Sequence, residues 1–266
     1  MPDMKQALFR FYAELNDFLP QARRGKAFVH RFWGNPNVKD VIESLGVPHG
    51  EVDLVLADGA SVDFLWTLHD GARVSVYPVF ESLDITPVLR LRPAPLRVTR
   101  FVLDAHLGRL ASYLRMLGFD TWWRNDFQDE ELAWISQQQE RILLTRDVGL
   151  LKRSAVSHGY WVRHTRAREQ VVEVLKRFDL MRAVAAFQRC LCCNSLLEPV
   201  SGASVRDRLP AKVRELHSEF RACPDCGRLY WKGSHYRHMS QFIAALTAKT
   251  PLPPPSPLPL GEGKGN

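Results

Sequence analysis

Two aspartates carry the first chemistry in this chain. Asp104 closes an apolar, strand-like run from Val98 to Leu103, and Asp147 follows a second run, Arg141 to Leu144, across Thr145 and Arg146. Between them stands an acidic trio, Asp129, Glu130 and Glu131, at the head of a helical pattern. Carboxylates packed at strand ends repel one another and raise one another's pKa values unless a cation joins them. Carboxylate oxygens suit magnesium or manganese, and such an ion activates water and stabilises charge on phosphorus oxygens. The expected chemistry is phosphodiester hydrolysis. Asp104 and Asp147 are the expected metal ligands, Asp129 and Glu130 complete the catalytic set, and Asp126 is held in reserve. Each carboxylate also has a plainer reading, as turn former, helix cap or partner of the helix dipole.

A second constellation is built from sulfur. Cys190-x-x-Cys193 and Cys223-x-x-Cys226 are separated by 29 residues and use four of the five cysteines. Two such knuckles present four thiolates to one tetrahedral zinc, and a full set of four marks a closed, structural site. Pro224-Asp225 and Gly227 supply the tight-turn chemistry that a knuckle needs. Cys192 is the odd cysteine, and its spacing makes Cys190 and Cys193 the better pair. Around this site Tyr230, Trp231, Lys232, His235, Tyr236, Arg237 and His238 interleave rings with cations. Rings stack on unpaired bases while cations follow the backbone, so Trp231 and Lys232 are the preferred nucleic-acid contacts. The alternative is a small ribbon using its rings as core.

The elements that must position these residues alternate. Short apolar runs and helical patterns succeed one another, as in β-α-β units around a parallel sheet. Ligands of such sheets bind beyond the carboxyl ends of the strands, where Asp104 and Asp147 both fall. His106 to Leu117 repeats leucines at helical spacing and Gly118 stops it. Phe119–Trp123 reads as a strand, Asp129–Ser136 as a helix, Tyr160–His164 as a strand and Arg168–Phe178 as a helix. Arg109 and Arg115 lie on the first helix, at the flank of the crevice. These two and Arg146 are candidate phosphate contacts, or partners of the acids.

Upstream, residues 5–15 and 26–33 read as strands. Asn37 caps a helix from Val38 to Leu45, Gly46 stops it, and Val52–Ala57 and Arg73–Val79 add strands. Hairpin, helix, then strands is the order of a β-grasp fold, similar to ubiquitin-like sulfur carriers. Those end in Gly-Gly, whereas here PVFESLDITPVLRLRPAP follows. Pro87, Pro93 and Pro95 mark a linker with a boundary near residue 95, and the Pro- and Gly-rich stretch 250–266 is expected to be disordered.

The net charge of +7 is unevenly spread: −2 over residues 1–96, +4 over 97–188 and +5 over 189–249. A basic excess confined to the later segments favours a polyanionic partner there. No apolar run reaches the ~18 residues of a membrane span, and MPDMKQALFRFYAEL lacks the order of a signal peptide. A cytoplasmic, non-membrane protein is expected, which also favours metal binding over disulfides for the cysteines.

VLDAHLGRLASYLRMLGFDT followed by RILLTRD resembles the PIN-like ribonuclease family named after the C-terminal region of the Mut-seven exonuclease. RCLCCN and CPDCGRLYWKGSHYRHM resemble the zinc-ribbon end of that family, and Met4 to Leu83 resembles the ubiquitin-like domain that often precedes it. The resemblance implies an α/β, PIN-like nuclease domain over 96–188, after an α+β β-grasp domain with linker over 1–95 and before a zinc ribbon over 189–249. It implies RNA as substrate, where the residues alone imply only a phosphate polyanion. In such nucleases the acidic positions match Asp104, the 129–130 pair and Asp147. The N-terminal domain is then expected to meet a protein partner. Two rival readings are a non-catalytic RNA-binding adaptor and a sulfur-carrier or conjugation partner.

Overall fold

The computed structural model describes residues 3–79, 90–91 and 99–247. The proline linker, the boundary near 95, the stretch that would replace a Gly-Gly tail and the segment 250–266 lie largely or wholly outside the described residues. Contacts divide the chain into two compact units, Met1–Pro199 with Arg221–Leu229, and Val200–Phe220 with Tyr230–Asn266.

The first unit opens with β1 (Lys5–Phe11), β2 (Phe28–Phe32), α1 (Val38–Ser44), β3 (Val52–Ala57), β4 (Ala60–Val62) and β5 (Arg73–Pro78). The sheet order is β2-β1-β5-β3-β4, with β1 and β5 parallel at its centre and the other pairs antiparallel. This is the β-grasp expected from the sequence. The strand expected over 5–15 stops at Phe11, because Ala13 turns to φ 46° and a 3-10 turn follows. Asn37 caps α1 by accepting the Asp40 N–H at 2.8 Å. The inward faces of β1 and β5 and the apolar stripe of α1, Val38, Val41 and Ile42, share one core.

The second sheet of this unit is parallel throughout. Its strands are β6 (Arg100–Leu103), β7 (Asp120–Trp122), β8 (Ile142–Thr145) and β9 (Gly159–Trp161), in the order β7-β6-β8-β9. Helices α2 (Gly108–Met116), α3 (Asp129–Gln138) and α4 (Ala167–Arg177) connect or follow them. The inner strands β6 and β8 are buried on both faces beyond Arg100, as a covered parallel sheet requires, while the edge strand β7 leaves Trp122 exposed. Side chains alternate across it. Val102 and Leu143 join Leu132, Ala133 and Ile135 of α3 on one face, while Phe101 meets Phe119 and Phe178 edge-on. The first expected helix begins as a 3-10 turn at Ala105–Leu107 and becomes α-helical at Gly108. Gly118 ends it at φ 98°, where a Cβ would lie 2.2 Å from the Ala185 carbonyl oxygen.

The chain then forms β10 (Glu198–Val200), α5 (Ala211–Leu216), β11 (Phe220–Ala222), β12 (Leu229–Trp231) and α6 (Ser234–Thr247), with the strands in the order β10-β11-β12. Among the described residues no helix is long and apolar enough to cross a membrane.

Candidate functional site

From β6 the chain moves through α2 to β7 on one side, then through α3 to β8 on the other. The connections therefore diverge between the carboxyl ends of β6 and β8, which opens a crevice at a topological switch point. Asp104 leaves β6 there and Asp147 lies just beyond β8. The Asp104 N–H still donates to the Leu144 carbonyl across the strand pair, at 3.1 Å.

Thr145 joins the two aspartates. Its side chain is fully buried, its hydroxyl donates to Asp104 Oδ2 at 2.7 Å, and its Oγ1 accepts the Asp147 N–H at 2.9 Å. Asp104 occupies the cap position of the Ala105–Leu107 turn without a side-chain capping bond. Its carboxylate is directed to Thr145 instead. Asp147 is exposed and accepts the Gly149 N–H at 2.7 Å, so it does form a local turn. The sequence reading passed over Thr145. The available signal was a hydroxyl at the last position of a strand, two residues before an aspartate.

The α3 acids lie elsewhere in the electrostatics. Asp129 and Glu130 are exposed and share Arg153 Nη2, at 3.5 and 3.0 Å. Glu130's own backbone N–H, then Arg153, hold its carboxyl below the ordinary value. Asp126 is held bidentately by Arg124 at 2.7 and 2.9 Å, and Glu131 lies 3.5 Å from the same guanidinium. Among the described residues no carboxylate group of three gathers its oxygens at metal-binding distance; the structure brings together Asp104 and Asp147, through Thr145, and not the trio.

The arginines separate by burial. Arg115 is 3% exposed, and it donates to the carbonyls of Thr121, Leu191, Cys192 and Trp123 at 2.7–3.4 Å. A guanidinium spent on four carbonyls in a buried position is a structural tie, which corrects its placement as a phosphate contact. Arg109 is exposed at the head of α2. Arg146 is exposed beside Asp147 and donates to the carbonyls of Arg163 and His164 at 3.0 and 2.5 Å. In the second unit Trp231 is half-buried at the end of β12, and the Lys232 ammonium meets Glu219 at 2.5 Å.

The four cysteines fall in the first unit and converge. All four sulfurs lie within 4.8 Å of one another, with Cys190–Cys226 at 3.5 Å and Cys193–Cys223 at 3.3 Å. Sulfurs about 3.8 Å apart would surround a tetrahedral ion at thiolate bond lengths, so the donor set fits such an ion. Both knuckles fold alike. The Cys190 carbonyl accepts the Asn194 N–H and the Cys223 carbonyl accepts the Gly227 N–H, each at 3.0 Å. Both following residues are left-handed, Asn194 at φ 76° and Gly227 at φ 71°, a conformation that glycine adopts freely and asparagine tolerates. Burial disfavours the Cys193 thiolate, but hydrogen bonds from Ser195 and the neighbouring thiols win and bring it to about 6. For Cys226, the Arg228 backbone N–H favours the thiolate, yet burial and the crowded thiols push it up to about 12. Four thiols at this spacing do not all ionise without a cation to offset their repulsion. Cys192 is exposed and stands outside the group.

Comparison with known proteins gives two matches. Residues 99–243 match the family model described as Mut7-C RNAse domain, and residues 4–84 match that described as Mut7-C ubiquitin. No curated protein and no solved structure matches the chain.

Proposed function

The chain belongs to the Mut7-C RNAse domain family, matched over more than half its length, and from that membership we propose that it hydrolyses RNA phosphodiester bonds with the help of a divalent cation. The observation that carries this reading is the Asp104–Thr145–Asp147 chain of hydrogen bonds at the switch point of the parallel sheet. Two carboxylates suffice as protein ligands for magnesium or manganese, which keep several waters and take phosphate oxygens as further ligands. Asp104 and Asp147 would hold the ion, which supplies an activated water and charge stabilisation. Thr145 fixes the Asp104 carboxylate by hydrogen bonding. Arg109 and Arg146 would bind phosphate, while Trp231 and Lys232 would contact RNA beyond the reacting group. Asp129 and Glu130 enter the catalytic set only if RNA draws Arg153 away from them. The ion at Cys190, Cys193, Cys223 and Cys226 would be a closed, structural zinc. The proposed domain limits are 1–95, 96–188 and 189–249, and the proposed setting is the cytoplasm.

A second reading, a non-catalytic RNA-binding adaptor, is favoured by the pairing of the α3 acids with Arg153. The two readings separate in one comparison: Asp104→Asn and Asp147→Asn against wild type, with magnesium or manganese, scoring cleavage and RNA affinity together. The nuclease reading expects cleavage to fall by several orders of magnitude, because attack depends on positioned water, with RNA affinity equal or higher. Cleavage at the wild-type rate in both variants would make these residues turn formers. RNA binding without any wild-type cleavage would select the adaptor.

A further inference from the structure

Both edges of the parallel sheet end in the same device. In the order β7-β6-β8-β9 the outer strands are β7 and β9. An edge strand turns N–H and C=O groups away from its neighbour, and these groups template pairing with other chains. At Thr121 of β7, the N–H donates to Asn194 Oδ1 at 2.9 Å and the carbonyl accepts from Arg115 Nε at 2.9 Å. At Trp161 of β9, the N–H donates to Glu51 Oε1 at 2.5 Å and the carbonyl accepts from Arg163 Nη1 at 2.7 Å. Each edge is closed at one residue by a side-chain acceptor from outside the sheet and by an arginine. Asn194 belongs to the first cysteine knuckle. Glu51 belongs to the ubiquitin-like domain.

Glu51 is built into this position. It is 1% exposed and sits in the 3-10 turn His49–Glu51. Its Oε2 makes no hydrogen bond and faces Arg163 Nη2 at 3.7 Å. A Cβ on the adjoining Gly50 would lie 3.3 Å from the Leu151 carbonyl oxygen, so the turn lies close against the loop after β8. Further pairs surround the anchor: Arg163 Nε with Asp17 at 2.7 Å, Arg177 Nε with Glu14 at 2.6 Å, and Lys152 Nζ with the Glu43 carbonyl at 2.9 Å. Acids of the N-terminal domain therefore meet cations of the nuclease domain.

We propose that the partner of the ubiquitin-like domain is the β9 edge of this chain's own nuclease sheet, with Glu51 as the anchor, so that the domain closes the sheet and fixes the strand end that holds Arg146. Arg146 reaches this end through the carbonyls of Arg163 and His164, described above. Only that last link rests on the RNase reading, which makes Arg146 a phosphate contact.

Amide hydrogen exchange on the full chain tests the anchor directly. The Trp161 amide should exchange at least about tenfold faster in Glu51→Ala than in wild type, since an uncapped edge N–H is open to water. The Leu143 amide, bonded to the His158 carbonyl inside the sheet, should not change. If the Trp161 amide is equally protected in Glu51→Ala, the proposal is overturned. Should that variant fail to fold, Glu51→Met decides on the same amide: it keeps the bulk of the side chain but removes the acceptor, so faster exchange supports the proposal and unchanged exchange overturns it. RNA affinity should fall about tenfold alongside; if Trp161 opens while RNA affinity stays level, the link to Arg146 is overturned. Expected exchange together with no RNA binding or cleavage by the wild type would remove the RNase reading and leave the edge cap standing.

Discussion

Thr145 illustrates how one buried hydroxyl can tie the carboxylate of one aspartate to the backbone of another. A threonine Oγ is donor and acceptor at once, so it can present a proton to Asp104 and a lone pair to the Asp147 N–H. Valine has nearly the same shape and neither function. Thr145→Val should cost about 1–3 kcal/mol of stability, the range for a buried partner lost. Cleavage should fall a further ~10–100-fold, as when an outer partner of a metal ligand is removed. Thr145→Ser should recover most of both. Equal activity in the valine and serine variants would show that the hydroxyl positions nothing. Arg115 teaches the converse. By charge it is as good a phosphate contact as Arg146, but its neighbours are carbonyls at 2.7–3.4 Å. A buried guanidinium satisfies its donors wherever acceptors lie, and only tertiary neighbours reveal which acceptors those are.

At the scale of elements, the cysteine knuckles are two copies of one turn, brought together by strands that are far apart in sequence. Each supplies two sulfurs, and neither alone can complete a tetrahedral site. The purified protein should carry about one zinc per chain, measured by elemental analysis. Cys223→Ser should lose the metal and lower the melting temperature, whereas Cys192→Ser should retain it, because Cys192 lies outside the cluster. Full thiol titration of all five cysteines in metal-replete protein would contradict this. Asn194 gives the first knuckle a second role besides presenting two sulfurs. Its amide nitrogen donates to Asp120 Oδ1 at 2.8 Å while its oxygen takes the Thr121 N–H. Burial raises the Asp120 pKa, but Arg141 and Asn194 outweigh that and hold the carboxyl below its ordinary value.

At the scale of the first unit, the uneven charge of the chain is partly spent inside it. Glu51 shows the cost. Burial raises its carboxyl from 4.5 to about 7, although Arg163, the Trp161 N–H and Arg177 pull it down; Glu14 adds to the rise. A carboxyl with a raised native pKa keeps a proton that the unfolded chain has already released. Stability therefore falls as pH rises from about 4.5 to about 7 and is flat above. The swing is about 3 kcal/mol for a shift of this size. His30, lowered by burial and Arg23, works with the opposite sign over part of this range. Subtracting Glu51→Gln removes such shared effects. In urea denaturation at pH 5 and pH 8, wild type should lose stability relative to Glu51→Gln as pH rises. A difference that does not vary with pH would mean that Glu51 is solvated in the native state.

The sequence by itself determined most elements of the first unit and their order, while the short strand β4 and the elements from β10 to α6 gave no signal that was read. Alternation marked the strands of the first unit, leucines at helical spacing marked α2, Asn37 and Gly46 bounded α1, and the paired CxxC motifs marked the four-cysteine group, because each signal is local and repeats a backbone period or a ligand geometry. It also placed Asp104 and Asp147 at strand ends, since strand ends are visible in one dimension. Only the tertiary structure decided which of the expected groups meet. It joined the two aspartates through Thr145, paired the α3 acids with Arg153, buried Arg115 under the first knuckle, and brought Glu51 to the edge of a sheet 110 residues away. These contacts depend on strand order and on the docking of separate modules. Neither is encoded in a residue's own neighbourhood, and the desolvation that makes a buried charge choose its partner exists only once the chain has closed around it.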